Sequence, residues 1–169
     1  MKRLLAVLLA ASALSAAESP RWTDPKGLFS CDVPEGWVFQ EFKDGTAIFH
    51  ERDKKPPAFL NLRHPTDLPK EAAKSLDAYA KHCLKELSVE AKDAKPCKVG
   101  PFNAIRASGP VGPSGGKLLD LLVFIEGGKS GYYTVMLTCL PDDRKTYEPV
   151  LDAFLKGLSL PYGSDHKGK

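Results

Sequence analysis

The stretch LLDLLVFIEGGKSGYYTVMLTCL, residues 118–140, decides the fold of this chain. It contains an apolar run at 118–125, a glycine-rich run at 127–131 and a second apolar segment at 132–140. Period-two alternation of apolar residues predicts a strand, and a short glycine-rich connection predicts a hairpin. The segment therefore predicts two long antiparallel strands. One face of the second strand carries Tyr133, Val135, Leu137 and Cys139.

Shorter extended segments precede this hairpin. An irregular lead-in is expected at 18–27, which contains Pro20, Pro25 and Gly27. Beyond it, four short strands joined by tight turns predict an antiparallel meander, at 28–33, 37–42, 46–50 and 58–64. Further strands are expected around Cys97 and at 102–111.

Two segments have helical spacing. Ser75 is placed to cap a helix whose apolar face comprises Leu76, Tyr79, Ala80, Cys83, Leu84 and Leu87. A second helix, started by Pro141, has an apolar face comprising Tyr147, Val150, Leu151, Phe154, Leu155 and Leu158. The order of elements predicts an α+β fold, an antiparallel β-sheet of about six to seven strands packed between helices. We expect one domain at 28–160 and a flexible tail at 161–169.

Several of these features occur in an order that resembles a known family. They are Phe29 to Val33 followed by Pro34-x-Gly36-Trp37, the helix at Ser75-Leu76-x-x-Tyr79, the strand at Tyr132-Tyr133 and the closing helix to Leu158. This order resembles PsbP-like domains, named for an extrinsic protein of photosystem II, over about residues 28–160. The resemblance implies a central antiparallel sheet between helices and a largely non-catalytic, partner-binding role, with exported bacterial members. It carries over no functional residue.

The first 17 residues have the features of an export signal. Lys2 and Arg3 precede an apolar run at 4–14, and small residues end at Ala17. This pattern predicts signal-peptide cleavage between Ala17 and Glu18 and an exported protein, periplasmic or secreted. No later apolar segment is long enough to span a bilayer, so we expect no stable membrane span after cleavage.

The charge balance argues against a nucleic-acid partner. Removing Lys2 and Arg3 with the signal lowers the formal charge from +3 to +1, and no long Lys/Arg block remains. Nucleic-acid-binding domains carry a clustered basic surface. We therefore expect no nucleic-acid binding.

All four cysteines follow the predicted cleavage point. An even number of cysteines in an exported chain favours disulfides, and four permit three connectivities. We expect Cys83–Cys97, which joins an inward-facing helix residue to the returning strand, and Cys31–Cys139, whose members each end an inward-facing alternation. Four buried free thiols are the alternative.

Candidate chemical motifs are incomplete. Ser114 with Lys117, and Ser164 with Lys167, match Ser-x-x-Lys, but one pair lies in a glycine-rich turn and the other in the tail. His50, Glu51 and His64 could approach one another across a hairpin, yet two histidines and one carboxylate are a small set for zinc. We therefore expect no catalytic, metal or cofactor site.

The residues favour an exported, non-catalytic accessory or binding protein that acts through its sheet surface on a protein or a small apolar ligand. The rival is an exported hydrolase whose catalytic residues converge only in three dimensions. Trp37 is expected in the core. Trp22 would either cover the sheet edge or meet a partner.

Overall fold

The computed structural model describes residues 20–41, 47–52, 58–65, 67–91, 93–111, 117–128 and 131–161. The predicted signal segment, its Ala17–Glu18 cleavage point and the tail beyond residue 161 lie outside these ranges. The strands are β1 (Arg21–Thr23), β2 (Ser30–Asp32), β3 (Trp37–Glu41), β4 (Ala47–Glu51), β5 (Phe59–Arg63), β6 (Lys95–Val99), β7 (Phe102–Pro110), β8 (Leu119–Glu126) and β9 (Tyr132–Cys139). The helices are α1 (Leu76–Glu86) and α2 (Arg144–Gly157), each preceded by a short 3-10 segment, at Ala72–Lys74 and Pro141–Asp143.

Seven strands form the main sheet, in the order β3-β4-β5-β9-β8-β7-β6. Every neighbouring pair is antiparallel. The predicted 118–140 hairpin forms β8 and β9, in register from Leu119 opposite Cys139 to Glu126 opposite Tyr132. Because β9 also pairs with β5, this hairpin lies in the middle of the sheet. The predicted α+β fold is confirmed, with seven strands in the main sheet.

One face of the sheet packs under α2 and the small β1–β2 sheet. The predicted apolar face of β9 is buried here, as are Tyr147, Leu151 and Phe154 of α2. The ring centroids of Phe49 and Phe154 lie 5.6 Å apart. Trp37 is buried on this face, as predicted, and its ring meets that of Tyr147 edge-on. Each large apolar side chain buried in this way stabilises the fold by about 1.5–3 kcal/mol.

The opposite face packs under α1. The hydroxyl Oγ of Ser75 accepts a hydrogen bond from the Ala78 N–H at 3.1 Å, which confirms the predicted cap. Tyr79 and Ala80 then contact a core layer of the sheet that includes Ile105, Leu122 and Phe124. The sheet therefore lies between the two helices.

The lead-in at 18–27 is not irregular throughout, because Arg21–Thr23 forms β1 and pairs with β2. Trp22 is only 5% exposed, and its ring contacts those of Phe29, Phe39 and Phe49. Of the two roles open to Trp22, it therefore covers the sheet. The predicted four-strand meander is also wrong in its first member, since β2 pairs with β1 outside the main sheet. None of the helices described is long and apolar enough to span a membrane.

Candidate functional site

A cleft of about 530 Å³ opens beside α1. It is bounded by α1, by the adjacent parts of β5 and β9, and by the loop at 24–29. The apolar part of its lining consists of Leu28, Phe29, Leu68, Leu87 and Met136. A cleft of this size that combines apolar side chains with polar ones can hold a small molecule.

The loop at 24–29 is held by Asp24. This carboxylate is buried, and its Oδ2 accepts hydrogen bonds from the N–H groups of Lys26 (2.9 Å) and Leu28 (3.1 Å). Aspartate favours such turns because its side chain satisfies the backbone a few residues ahead. The result is a fixed wall that places Leu28 and Phe29 at the cleft.

His64 follows β5 and lines the same cleft. Its Nδ1 donates to the Tyr132 carbonyl at 3.0 Å, and its ring stacks on Tyr133 at a centroid distance of 4.5 Å. A carbonyl can only accept, so Nδ1 carries the proton. In the neutral ring, Nε2 is therefore the free acceptor, and the stacked ring has a defined orientation.

A buried hydroxyl network forms the base of the cleft. The Tyr79 and Thr134 hydroxyl oxygens are 2.6 Å apart, and the Cys83 Sγ lies 3.9 Å from the same Thr134 oxygen. Burial raises the pKa of Tyr79 above its usual range, although the hydrogen bond from Thr134 opposes the shift. Burial likewise raises the pKa of the Cys83 thiol, which the Tyr79 and Thr134 hydrogen bonds oppose. Both groups therefore remain protonated at neutral pH, so Cys83 is not an activated thiolate.

The charge of Arg63 acts on this network. This residue lies opposite Thr134 in the β5–β9 register, its side chain is exposed, and it lines the cleft. Its charge reaches Tyr79, Cys83 and the buried carboxyl of Asp120. Within the described ranges, no carboxylate lies at salt-bridge distance from Arg63. Its guanidinium is thus available to an anionic group of a ligand.

The other charged groups of the lining have mixed signs. Lys26 and His82 accompany Asp67 and Glu86. Asp67 and Glu86 are exposed, so water screens their charge, whereas the third carboxylate of the lining, Asp24, is buried and accepts hydrogen bonds from its own loop. The lining therefore offers a ligand both apolar contact and charged groups, among which Arg63 is the cation discussed above.

The possible approach of His50 and His64, which we did not expect to form a metal site, does not occur. His50 lies opposite Phe59 at the start of β5, whereas His64 follows its end, a separation of roughly 16 Å at about 3.3 Å per residue. The Glu51 carboxylate accepts a hydrogen bond from the Tyr147 hydroxyl at 2.6 Å. Among the residues described there is no group of three or more potential metal ligands.

All four cysteines are free in the structure. Cys83 packs into the core layer under α1, whereas Cys97 on β6 packs against the layer under α2. The sheet separates these two thiols, so the arrangement does not support the expected Cys83–Cys97 bridge. Cys83 on α1 and Cys97 on β6 each face inward, as predicted, but each packs into the core on a different side of the sheet. Cys31 and Cys139 share the core under α2, and their bridge remains a prediction.

No histidine in the described part of the chain is hydrogen-bonded to a serine or cysteine side chain, although the Ser108 hydroxyl donates to the Asp93 carboxylate at 2.7 Å. The hydrogen bonds of Cys83 and His64 go to Thr134 and Tyr132 and not to each other. Ser114 and Ser164, the serines of the two Ser-x-x-Lys matches, lie outside the described ranges.

Sequence reasoning did not identify the cleft. It placed Tyr79 on an apolar helix face, and it did not consider Arg63 or Thr134. One signal was available, because Arg63 and His64 stand together at the end of a predicted strand. Their partners on β9 and α1 are distant in sequence and become visible only in the folded chain.

Comparison with solved structures identifies the fold. Cyanobacterial PsbP (CyanoP) from Synechocystis sp. PCC 6803 has a TM-score of 0.58 and 14% identity, covering 91% of this chain and 99% of that one. PA94 from Pseudomonas aeruginosa has a TM-score of 0.55 and 16% identity, covering 78% and 90%. A Bacteroides thetaiotaomicron structure has a TM-score of 0.58 and 13% identity; the match covers 88% of this chain, which spans half of that longer one.

No protein-family model and no curated protein sequence matches the chain. At identities of 13–16%, the structural likeness concerns the fold alone. The match to CyanoP extends over nearly the whole of both chains. This protein therefore has a PsbP-like fold.

Proposed function

We propose that this chain is an exported, non-catalytic binding protein that holds a small ligand in the cleft beside α1. The observation that carries the proposal is a partly apolar cleft of about 530 Å³ with the Arg63 guanidinium at its edge, which no carboxylate of the described residues pairs with. Export is supported by the signal-like pattern of residues 1–17. The sequence suggested binding somewhere on the sheet surface. We now place the binding site at the part of that surface that forms the cleft with α1.

The lining suggests the chemistry of the ligand. Leu28, Leu68 and Met136 favour an apolar body, because removing such surface from water contributes about 25 cal/mol per Å². A planar guanidinium pairs well with a carboxylate, through charge-assisted hydrogen bonds. His64, whose Nε2 accepts when the ring is neutral, suits a hydroxyl donor elsewhere on the ligand. We therefore propose an aliphatic or aromatic carboxylic acid.

The test is a calorimetric titration of the purified protein with alkyl carboxylates of increasing chain length. We expect affinity to rise with chain length, since each buried methylene contributes about 0.8 kcal/mol. Arg63→Met keeps the apolar stem and removes the charge, so it should weaken carboxylate binding by about tenfold or more. Arg52→Met, which changes an exposed arginine that does not line the cleft, is the matched control.

The corresponding alkyl alcohols separate the two parts of the proposal. Equal binding of alcohol and carboxylate by the wild-type protein would refute the role of Arg63 and leave an apolar site. Absence of binding by either series would refute the ligand cleft itself.

A further inference from the structure

The two edges of the main sheet are unlike each other. At one edge, β6 contains Pro96, which has no N–H to offer, and the exposed lysines Lys95 and Lys98. Proline and lysine on an edge strand discourage pairing with another chain. At the other edge, β3 has the sequence WVFQE, with neither residue type. Only the β3 edge therefore lacks these protective features.

The hydrogen-bond pattern shows which groups of β3 face outward. Trp37 lies opposite Glu51, and the Arg52 N–H donates to the Gly36 carbonyl at 3.2 Å. The Trp37 N–H instead donates to the Pro34 carbonyl at 3.0 Å. Bonded and non-bonded pairs alternate along an antiparallel ladder, so Trp37 opposite Glu51 is a non-bonded pair.

The same alternation continues along β3. Val38 and Gln40 bond to β4, while the backbone groups of Trp37, Phe39 and Glu41 point away from β4, toward the open edge. Apart from the Trp37 N–H, no partner for these outward groups is found within the described ranges.

The side chain of Phe39 is exposed at this open edge of the sheet. It is 48% exposed, the highest value among the large apolar side chains described, although its ring contacts Trp22 and Phe49. An exposed aromatic ring beside free backbone donors and acceptors is a feature of surfaces that add a strand from a partner. This edge therefore has both the hydrogen-bonding groups and the apolar contact for one more strand.

We propose that the partner strand is β3 of a second copy of this chain, paired antiparallel about Phe39. A twofold axis there places Phe39 opposite its own equivalent and Trp37 opposite Glu41. Both backbone groups of Phe39 face outward, so the two Phe39 residues exchange N–H to carbonyl bonds in both directions. At each end the Trp37 carbonyl receives the Glu41 N–H of the other copy.

This self-pairing satisfies both outward groups of Phe39, the Trp37 carbonyl and the Glu41 N–H; the Glu41 carbonyl gains no partner, because the Trp37 N–H already donates to Pro34. Cross-strand neighbours at the remaining positions are Val38 and Gln40, so no like charges meet. The two exposed Phe39 rings come together on one face. A C2 contact of this kind is closed, which limits the assembly to a dimer with one continuous sheet. The interface is small, and the dimer is expected to be weak.

The test is to measure by sedimentation how the mass of the purified protein depends on its concentration. The protein is used in the form in which the cell exports it. We expect a monomer at low concentration and a dimer at high concentration. Phe39→Arg, which sets two like charges against each other across the axis, should abolish the dimer. Phe59→Arg changes an aromatic residue of similar exposure, 41%, on an interior strand, and should leave it intact.

Hydrogen exchange of the wild-type Phe39 amide supplies a second test that needs no variant. Its protection should appear only at concentrations where the dimer forms. A monomer at all concentrations, a dimer that survives Phe39→Arg, or an amide equally protected at every concentration would each overturn the proposal. This outcome is independent of ligand binding in the cleft, which lies beside α1.

Discussion

The Tyr79 hydroxyl on α1 and the Thr134 hydroxyl on β9 lie 2.6 Å apart, and their hydrogen bond joins the helix to the sheet at the base of the cleft. Tyr79 is 1% exposed and Thr134 5% exposed, so neither hydroxyl has ready access to water. This contact positions α1 and therefore sets the width of the cleft.

Tyr79→Phe tests that contact. The substitution keeps the ring packed against Phe124 but leaves the Thr134 hydroxyl without its main partner. We expect a loss of about 1–2 kcal/mol in the free energy of unfolding, measured with urea, because a buried polar group is left unsatisfied. Tyr132→Phe is the control: its hydroxyl makes only a 3.4 Å bond at the surface, and its effect should stay within about 0.5 kcal/mol. Equal effects of the two substitutions would contradict the structural role of Tyr79.

Asp120 should make stability depend on pH. Burial raises its pKa, although the hydrogen bond from Thr138 and the charge of Arg63 oppose the shift. A carboxyl with a raised folded-state pKa contributes stability that is complete below its unfolded pKa and is lost as pH rises through the folded value. We therefore expect Asp120→Asn to gain stability relative to wild type across that acidic interval. Unfolding curves for both proteins over a pH series measure this difference, and a constant difference at every pH would refute the assignment.

Gly109 allows two parts of the chain to approach closely. A Cβ there would lie 2.7 Å from Val89 Cγ1 and 2.9 Å from the Glu90 carbonyl oxygen. Gly109→Ala should therefore destabilise the protein by about 1–3 kcal/mol, because the segment after α1 must move. Asn103→Ala, at an exposed position of the same strand, serves as the reference in the same thermal or urea unfolding assay. The prediction fails if the Gly109→Ala protein is as stable as the wild-type protein.

The cysteines should differ in reactivity. Burial raises the pKa of Cys31 to about 12, and Cys139 is also buried, whereas Cys83 and Cys97 are partly exposed. Alkylation of the native protein should therefore modify Cys83 and Cys97 before the other two, as followed by mass spectrometry. A peptide map without reduction tests the bridges as well. A linked Cys83–Cys97 peptide would contradict the opposite-face placement, and a linked Cys31–Cys139 peptide would confirm the remaining bridge prediction.

The parts of the fold that could be predicted from sequence are those with a local signal. The spacing from Leu76 to Leu87 predicts α1, and Ser75 marks its start; the glycine-rich run at 127–131 marks the central hairpin. β1 was missed because three residues after Pro20 are too few to show a period. Periodicity also shows that Cys83 and Cys97 face inward without showing which side of the sheet each faces. The cleft depends on contacts such as Tyr79 with Thr134, 55 residues apart, which have no local signal.

We propose above all that the cleft beside α1 holds a small apolar acid. The most direct measurement is a map of amide chemical-shift changes in the ¹⁵N-labelled protein during titration with an alkyl carboxylate. We expect changes concentrated around Arg63, His64, Cys83 and Thr134 that saturate; Arg63→Met should need about tenfold more ligand, or still more, to reach saturation, whereas Arg52→Met should behave as wild type. Changes centred on another surface, or none at saturating ligand, would contradict it.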